Sequence, residues 1–76
     1  MIELLFFGQL TDVTGTSTME WDSVQDTDEL LKQLLYKYPQ LSKMKFVIAV
    51  NNKMTTETMP LNPGSKIAFM PPFSGG

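Results

Sequence analysis

Asp26-Thr27-Asp28-Glu29-Leu30-Leu31-Lys32-Gln33-Leu34-Leu35-Tyr36-Lys37-Tyr38-Pro39 is the stretch on which the fold turns. Leu30, Leu31, Leu34, Leu35 and Tyr38 recur at helical spacing and form one apolar stripe. Asp26 or Thr27 can serve as N-cap, and Asp28 and Glu29 stand where the positive end of the helix dipole favours acids. Pro39 ends the helix, because the residue before a proline avoids helical angles. The stretch predicts one amphipathic helix of about three turns. A helix with a single apolar stripe needs one sheet face to cover it.

The flanks supply that sheet. Residues 2–7 are apolar and aromatic-rich and are closed by Gly8, which reads as a strand. Alternation puts Ile2, Leu4 and Phe6 on one face and Glu3, Leu5 and Phe7 on the other. Apolar character on both faces predicts a central strand, its second face covered within the chain or by something outside it. Residues 11–18, with Gly15 and many hydroxyls, read as a loop, and residues 17–21 as a second strand with Met19 and Trp21 on one face. Beyond the helix, residues 46–50 form an apolar strand ending in the turn signal Asn51-Asn52. Residues 54–58 are polar and β-prone and predict a short edge strand. Pro60-Leu61-Asn62-Pro63-Gly64 is a tight turn, and residues 66–70 are the last strand.

One helix between two hairpin-like halves is the α+β arrangement of the β-grasp, a mixed sheet of four to five strands on one main helix. In that arrangement the first and last strands lie side by side in the middle, matching two strongly apolar runs. The domain then spans residues 1–70, with an extended tail over 71–76. Leu5, Phe7, Val47, Ala49, Ala68 and Met70 would populate the sheet face away from the helix. Those side chains either pack under a neighbouring loop or form the interface for a protein partner.

Composition narrows the chemistry. The 76 residues contain no Cys, His or Arg, with six lysines against eight acids and a net charge of −2. There is no thiolate or imidazole nucleophile, no zinc site of the usual kind and no histidine acid/base. The charge balance argues against a nucleic-acid binder, and the absence of Cys against a disulfide-stapled secreted domain. The opening Met1-Ile2-Glu3-Leu4 places an acid in a short apolar run without a basic leader, so neither a signal peptide nor a membrane span is expected, and the cytoplasm is the expected compartment. The glycines make neither a dinucleotide fingerprint nor a phosphate loop. The acids between Glu20 and Glu29 read as solvated helix-start residues or as a docking patch for a basic partner; their spacing matches no calcium loop, and no metal site is expected.

The ending Pro71-Pro72-Phe73-Ser74-Gly75-Gly76 does not look structural. Two prolines hold the chain extended, so six residues reach roughly 20 Å beyond the last strand. Glycines without side chains can thread a narrow channel. Such an end can deliver the Gly76 α-carboxylate into another protein's active site, whereas Gly-Gly alone would be an ordinary frayed end.

Phe69-Met70-Pro71-Pro72-Phe73-Ser74-Gly75-Gly76 resembles the ending of the sulfur-carrier family that forms the small subunit of molybdopterin synthase. Leu4-Leu5-Phe6-Phe7-Gly8-Gln9-Leu10, Val50-Asn51 and Pro63-Gly64 are similar too, and Thr11-Asp12 departs from the basic-acidic pair the family often places there. Ubiquitin-like modifiers and the thiamine-pathway sulfur carrier share the fold and the Gly-Gly end, usually without the Pro-Pro pair, and are the alternative readings of the same terminus, the modifier joining Gly76 to a target lysine. The resemblance implies a cytoplasmic, non-catalytic subunit that binds no cofactor and joins the large subunit in a heterotetramer. It also implies an E1-like adenylyltransferase that uses ATP to convert Gly76 to an acyl-adenylate, and a sulfur-donor enzyme that makes the thiocarboxylate. Pro71, Pro72, Phe73, Ser74 and Gly75 would then thread the large subunit's active site, where the sulfur enters the molybdopterin dithiolene.

Overall fold

The computed structural model describes residues 1–72 of the chain. Five strands, β1 (Ile2–Phe6), β2 (Thr18–Trp21), β3 (Val47–Val50), β4 (Lys53–Thr55) and β5 (Lys66–Met70), form one sheet in the order β2-β1-β5-β3-β4. β1 and β5 run parallel in the interior, and the remaining pairs are antiparallel. The main helix, α2 (Thr27–Lys37), covers one face, giving the expected mixed sheet of the β-grasp with five strands.

Local chemistry explains where α2 begins. Asp26 is extended, and its carboxylate accepts the Glu29 N–H at 2.9 Å, satisfying a helix donor that has no partner of its own. Thr27 is buried, and its hydroxyl accepts the Met59 N–H at 3.0 Å while its own N–H donates to the Met59 carbonyl at 2.9 Å. The helix start is therefore tied to the chain that leads into β5. Past Tyr38 the backbone tightens into a 3-10 turn, Pro39–Lys43, which buries Leu41.

Side chains interdigitate between α2 and the sheet. Leu30 and Leu34 of α2 meet Ile2, Leu4 and Phe6 of β1 and Ile67 and Phe69 of β5, all almost fully buried. Phe69 stacks on Phe6 with ring centroids 5.2 Å apart, and Phe46 meets it edge-on at 5.8 Å. Burying one such side chain contributes about 1.5–3 kcal/mol. The two ion pairs among the described residues, Lys32–Asp28 at 3.7 Å and Lys66–Glu3 at 4.0 Å, are exposed, and pairs of that kind are worth at most about 1 kcal/mol. The apolar core holds this fold.

The β3–β4 hairpin turns on Asn51 and Asn52, both at positive φ (50° and 71°), the conformation that matches the strand twist. The Asn51 side chain also accepts the Lys66 N–H at 2.9 Å, pinning the hairpin to β5.

Three local readings are corrected. Residues 11–18 are not simply a loop: Leu10–Thr14 is a short helix, α1, closed by Gly15 at φ 78°, whose N–H donates to the Thr11 carbonyl at 2.8 Å. Its Thr, Asp and Val residues are poor helix formers, but burial of Leu10 and the Thr11 N–H and hydroxyl bonds to the Gly8 carbonyl hold it. β4 is shorter and earlier than 54–58, because the Thr55 hydroxyl bonds the Glu57 backbone and turns the chain out of the ladder. β3 begins at Val47, leaving Phe46 outside the ladder although its ring packs against the core.

Candidate functional site

Strand register assembles the face opposite α2. One row crosses the sheet as Thr18, Leu5, Ala68, Ala49 and Met54, and the next pairs Met70 with Val47. Phe7 extends the patch just past β1, where its N–H donates to the Phe69 carbonyl at 3.0 Å. Five of the six residues expected on this face are exposed or half-buried, with Phe7 48% accessible. Ala49 is the exception at 5%. It lies on this face by register and outside the core cluster, so its neighbours on the patch cover its methyl group. Met54, 56% accessible, joins the patch through its pairing with Ala49. Sequence reasoning missed it, since only the hairpin register sets its side. At the other end, Glu3, Glu20 and Lys66 make the same face polar, so its apolar half adjoins the end of β5.

The tail leaves from that apolar half. Met70 is the last paired residue, and Pro71 and Pro72 follow it, exposed and outside any strand. Gly8 lies beneath Pro71 at φ 60°; a Cβ there would come within 2.7 Å of the Pro71 Cγ. The missing side chain lets the proline ring sit down on the turn after β1, which sets where the chain departs. A small cleft beside this root is lined by Gln9, Leu10, Lys43, Met44, Lys45 and Pro72, with both lysines exposed. Phe73, Ser74, Gly75 and Gly76, expected to carry the tail's work, lie outside the described residues.

Among the described residues, no group of acids could hold a metal ion, and no buried side-chain polar atom lacks a hydrogen-bond partner. In the acidic stretch, Asp26 caps α2 and Asp28 pairs with Lys32, which accounts for both structurally. No helix among the described residues is long and apolar enough to cross a membrane. What the described residues present is an open apolar face with Pro71-Pro72 leaving β5 beside it.

The sequence model of the ThiS family matches residues 4–76. The molybdopterin synthase sulfur carrier subunit of Escherichia coli (strain K12) is 33% identical over 81 residues, covering all of both chains. Its counterpart in Caenorhabditis briggsae is 35% identical, covering 99% of this chain and 96% of the relative. Among solved structures, the complex of subunits 1 and 2 of the molybdopterin-converting factor from Helicobacter pylori contains a chain matching with TM-score 0.72 at 26% identity, over 99% of this chain and 97% of that one. Small archaeal modifier protein 1 from Methanosarcina acetivorans matches with TM-score 0.82 at 22% identity, over 99% and 95% of the two chains, a likeness of fold.

Proposed function

The chain belongs to the ThiS family, and from that premise we propose that it is the sulfur-carrier subunit of a molybdopterin synthase, with the Gly76 carboxylate as its working group. The observation that carries the reading is end-to-end likeness to relatives named as that subunit. The architecture supports it: the last strand passes directly into Pro71-Pro72 at the edge of an open apolar face.

A free carboxylate is a poor acyl electrophile until it gains a good leaving group. This chain has no phosphate-binding loop, so ATP is bound by an E1-like partner, which joins AMP to the Gly76 carboxylate and releases pyrophosphate. A sulfur-donor enzyme then delivers sulfur at the sulfide level to the acyl carbon, the bond to AMP breaks, AMP leaves, and the end becomes a thiocarboxylate. That group is a soft, ionised sulfur nucleophile on a peptide end and needs no cysteine in this chain. Residues 71–75 carry it into the large subunit, where the sulfur passes to the molybdopterin dithiolene. The domain contributes docking and aim, binds no cofactor itself, and works in the cytoplasm, where ATP is available.

Leu5, Phe7, Val47, Ala49, Ala68 and Met70 form the seat for the large subunit in this reading, extended by Met54. A charge placed there is desolvated on docking with no partner, whereas in the free domain Phe7 and Met70 both reach solvent. Phe7→Asp and Met70→Asp each weaken binding to the large subunit about 30-fold or more, equivalent to about 2 kcal/mol, as expected for central interface anchors. Calorimetric titration against the large subunit measures this, with thermal melts of the free variants confirming the fold. Unchanged affinity in both folded variants would remove this face from the interface.

A further inference from the structure

A second surface lies away from both the open face and the tail. Trp21, at the end of edge strand β2, and Lys32, Gln33, Tyr36 and Lys37, on the outer side of α2, line a groove of about 520 Å³. The Trp21 indole N–H donates to the Gln33 side-chain oxygen at 2.8 Å, which fixes the orientation of the ring. Tyr36, one turn further along α2 from Gln33, is 90% accessible. The Lys37 ammonium sits 5.5 Å from the Trp21 ring centre. No acid lines the groove itself; Asp28 lies outside it, in an exposed 3.7 Å pair with Lys32, and Glu20 and Asp22 line the adjoining cleft that shares Trp21, Gln33 and Lys37.

Two aromatic rings flanking a shallow apolar trough suit a polyproline segment, whose extended shape is already set and loses little entropy on binding. Two ammonium groups at the same trough suit a carboxylate. One segment has both properties: Pro71-Pro72 is the sequence's only proline pair, and on the sulfur-carrier reading, on which this inference rests, Gly76 four residues later carries a free carboxylate. The domain's own tail is badly placed to enter. Trp21 is level with Ile2, whereas Met70 lies one residue past the level of Phe6, roughly 16 Å away along the strands. Pro71 rests on Gly8 at that far level, so the domain's own proline pair stays outside the groove, and the roughly 20 Å that six extended residues can reach would have to double back across two strands. We propose that this groove receives the C-terminal tail, Pro71–Gly76, of a second copy of the chain. The contact is head-to-tail, so it grows into open chains of copies as concentration rises, and it withdraws the terminal carboxylate from other partners while it lasts.

Trp21 is the chain's only tryptophan, so its emission reports on the groove directly. The full chain is titrated with a synthetic heptapeptide of the sequence Met70–Gly76, once with a free C-terminal carboxylate and once as the amide. The free acid gives a saturable change in Trp21 emission. The amide binds about three- to tenfold more weakly, the loss expected for exposed ion pairs. Tyr36→Ala, at an exposed position, weakens the free acid at least as much and leaves the thermal melt unchanged. Sedimentation of the full chain shows self-association that disappears when residues 71–76 are removed. No saturable change in emission would overturn the proposal, as would equal binding of acid and amide, or self-association that survives removal of the tail. The last result would mean that another part of the second copy, or another surface, makes the contact.

Discussion

Deleting Gly76 is expected to leave the domain's stability unchanged and to reduce molybdopterin synthesis to background in a system reconstituted with the proposed adenylating partner, sulfur donor and large subunit. The two halves of this result have separate causes. Among the described residues the buried core cluster runs from Ile2 to Phe69, and losing one glycine beyond it is expected to change stability by no more than about 0.5 kcal/mol. Chemistry is another matter. The new terminal carboxylate, on Gly75, is withdrawn by about 3.5 Å, one residue of extended chain. Displacing a reacting group by about 1 Å already costs on the order of 100-fold in rate. If the domain docks as proposed, the start of the tail is fixed and the shortfall falls on the reacting end. Turnover by the truncated chain within tenfold of the intact one would contradict the assignment of Gly76 as the working residue.

Phe69→Ala acts through stability instead. Phe69 is 2% exposed on the central strand, stacked on Phe6 and met edge-on by Phe46. Truncation removes both ring contacts and leaves a cavity, at a cost of about 3–5 kcal/mol. A domain of this size has few kcal/mol to lose, and each lowers the melting temperature by roughly 4–8 °C. The variant therefore melts roughly 12–40 °C lower, whereas Tyr36→Ala on the outer face of α2 barely moves the transition. The loss extends to function, because Phe69 anchors the strand that ends one residue before the tail. A melting temperature within a few degrees of the parent would mean that the aromatic stack does not hold β5.

Much of this architecture is legible in the sequence because the relevant signals are local. The leucine stripe with Asp26 before it and Pro39 after it marks α2 and its cap, and alternation along residues 2–7 and 66–70 separates core side chains from those of the open face. Asn51-Asn52 announces a turn that needs positive φ. What stays hidden depends on partners distant in sequence. Leu10–Thr14 has poor intrinsic helix propensity and becomes a helix because Leu10 finds the core. Met54 joins the open face only through the β3–β4 register. Gly8 looks like the end of a strand until Pro71, more than sixty residues later, settles on it. The groove at Trp21 and Tyr36 exists only once the outer face of α2 lies beside β2. In the tail the reverse holds: Pro71-Pro72-Phe73-Ser74-Gly75-Gly76 is conspicuous in the sequence, and the role proposed for it rests on chemistry with partners.

The most direct test of the central claim is the mass of the native C-terminus. Full-length protein purified from cells with an intact molybdopterin pathway is fragmented in the mass spectrometer, and the ions containing Phe73–Gly76 are measured. Locating the change beyond Met70 matters, because oxidation of any of the six methionines adds nearly the same nominal mass as exchanging oxygen for sulfur. The account predicts a population in which one oxygen of the Gly76 carboxylate is replaced by sulfur, and which disappears when the adenylating partner is absent. A terminus found only as the ordinary carboxylate, or joined through Gly76 to lysines of other proteins, would contradict it.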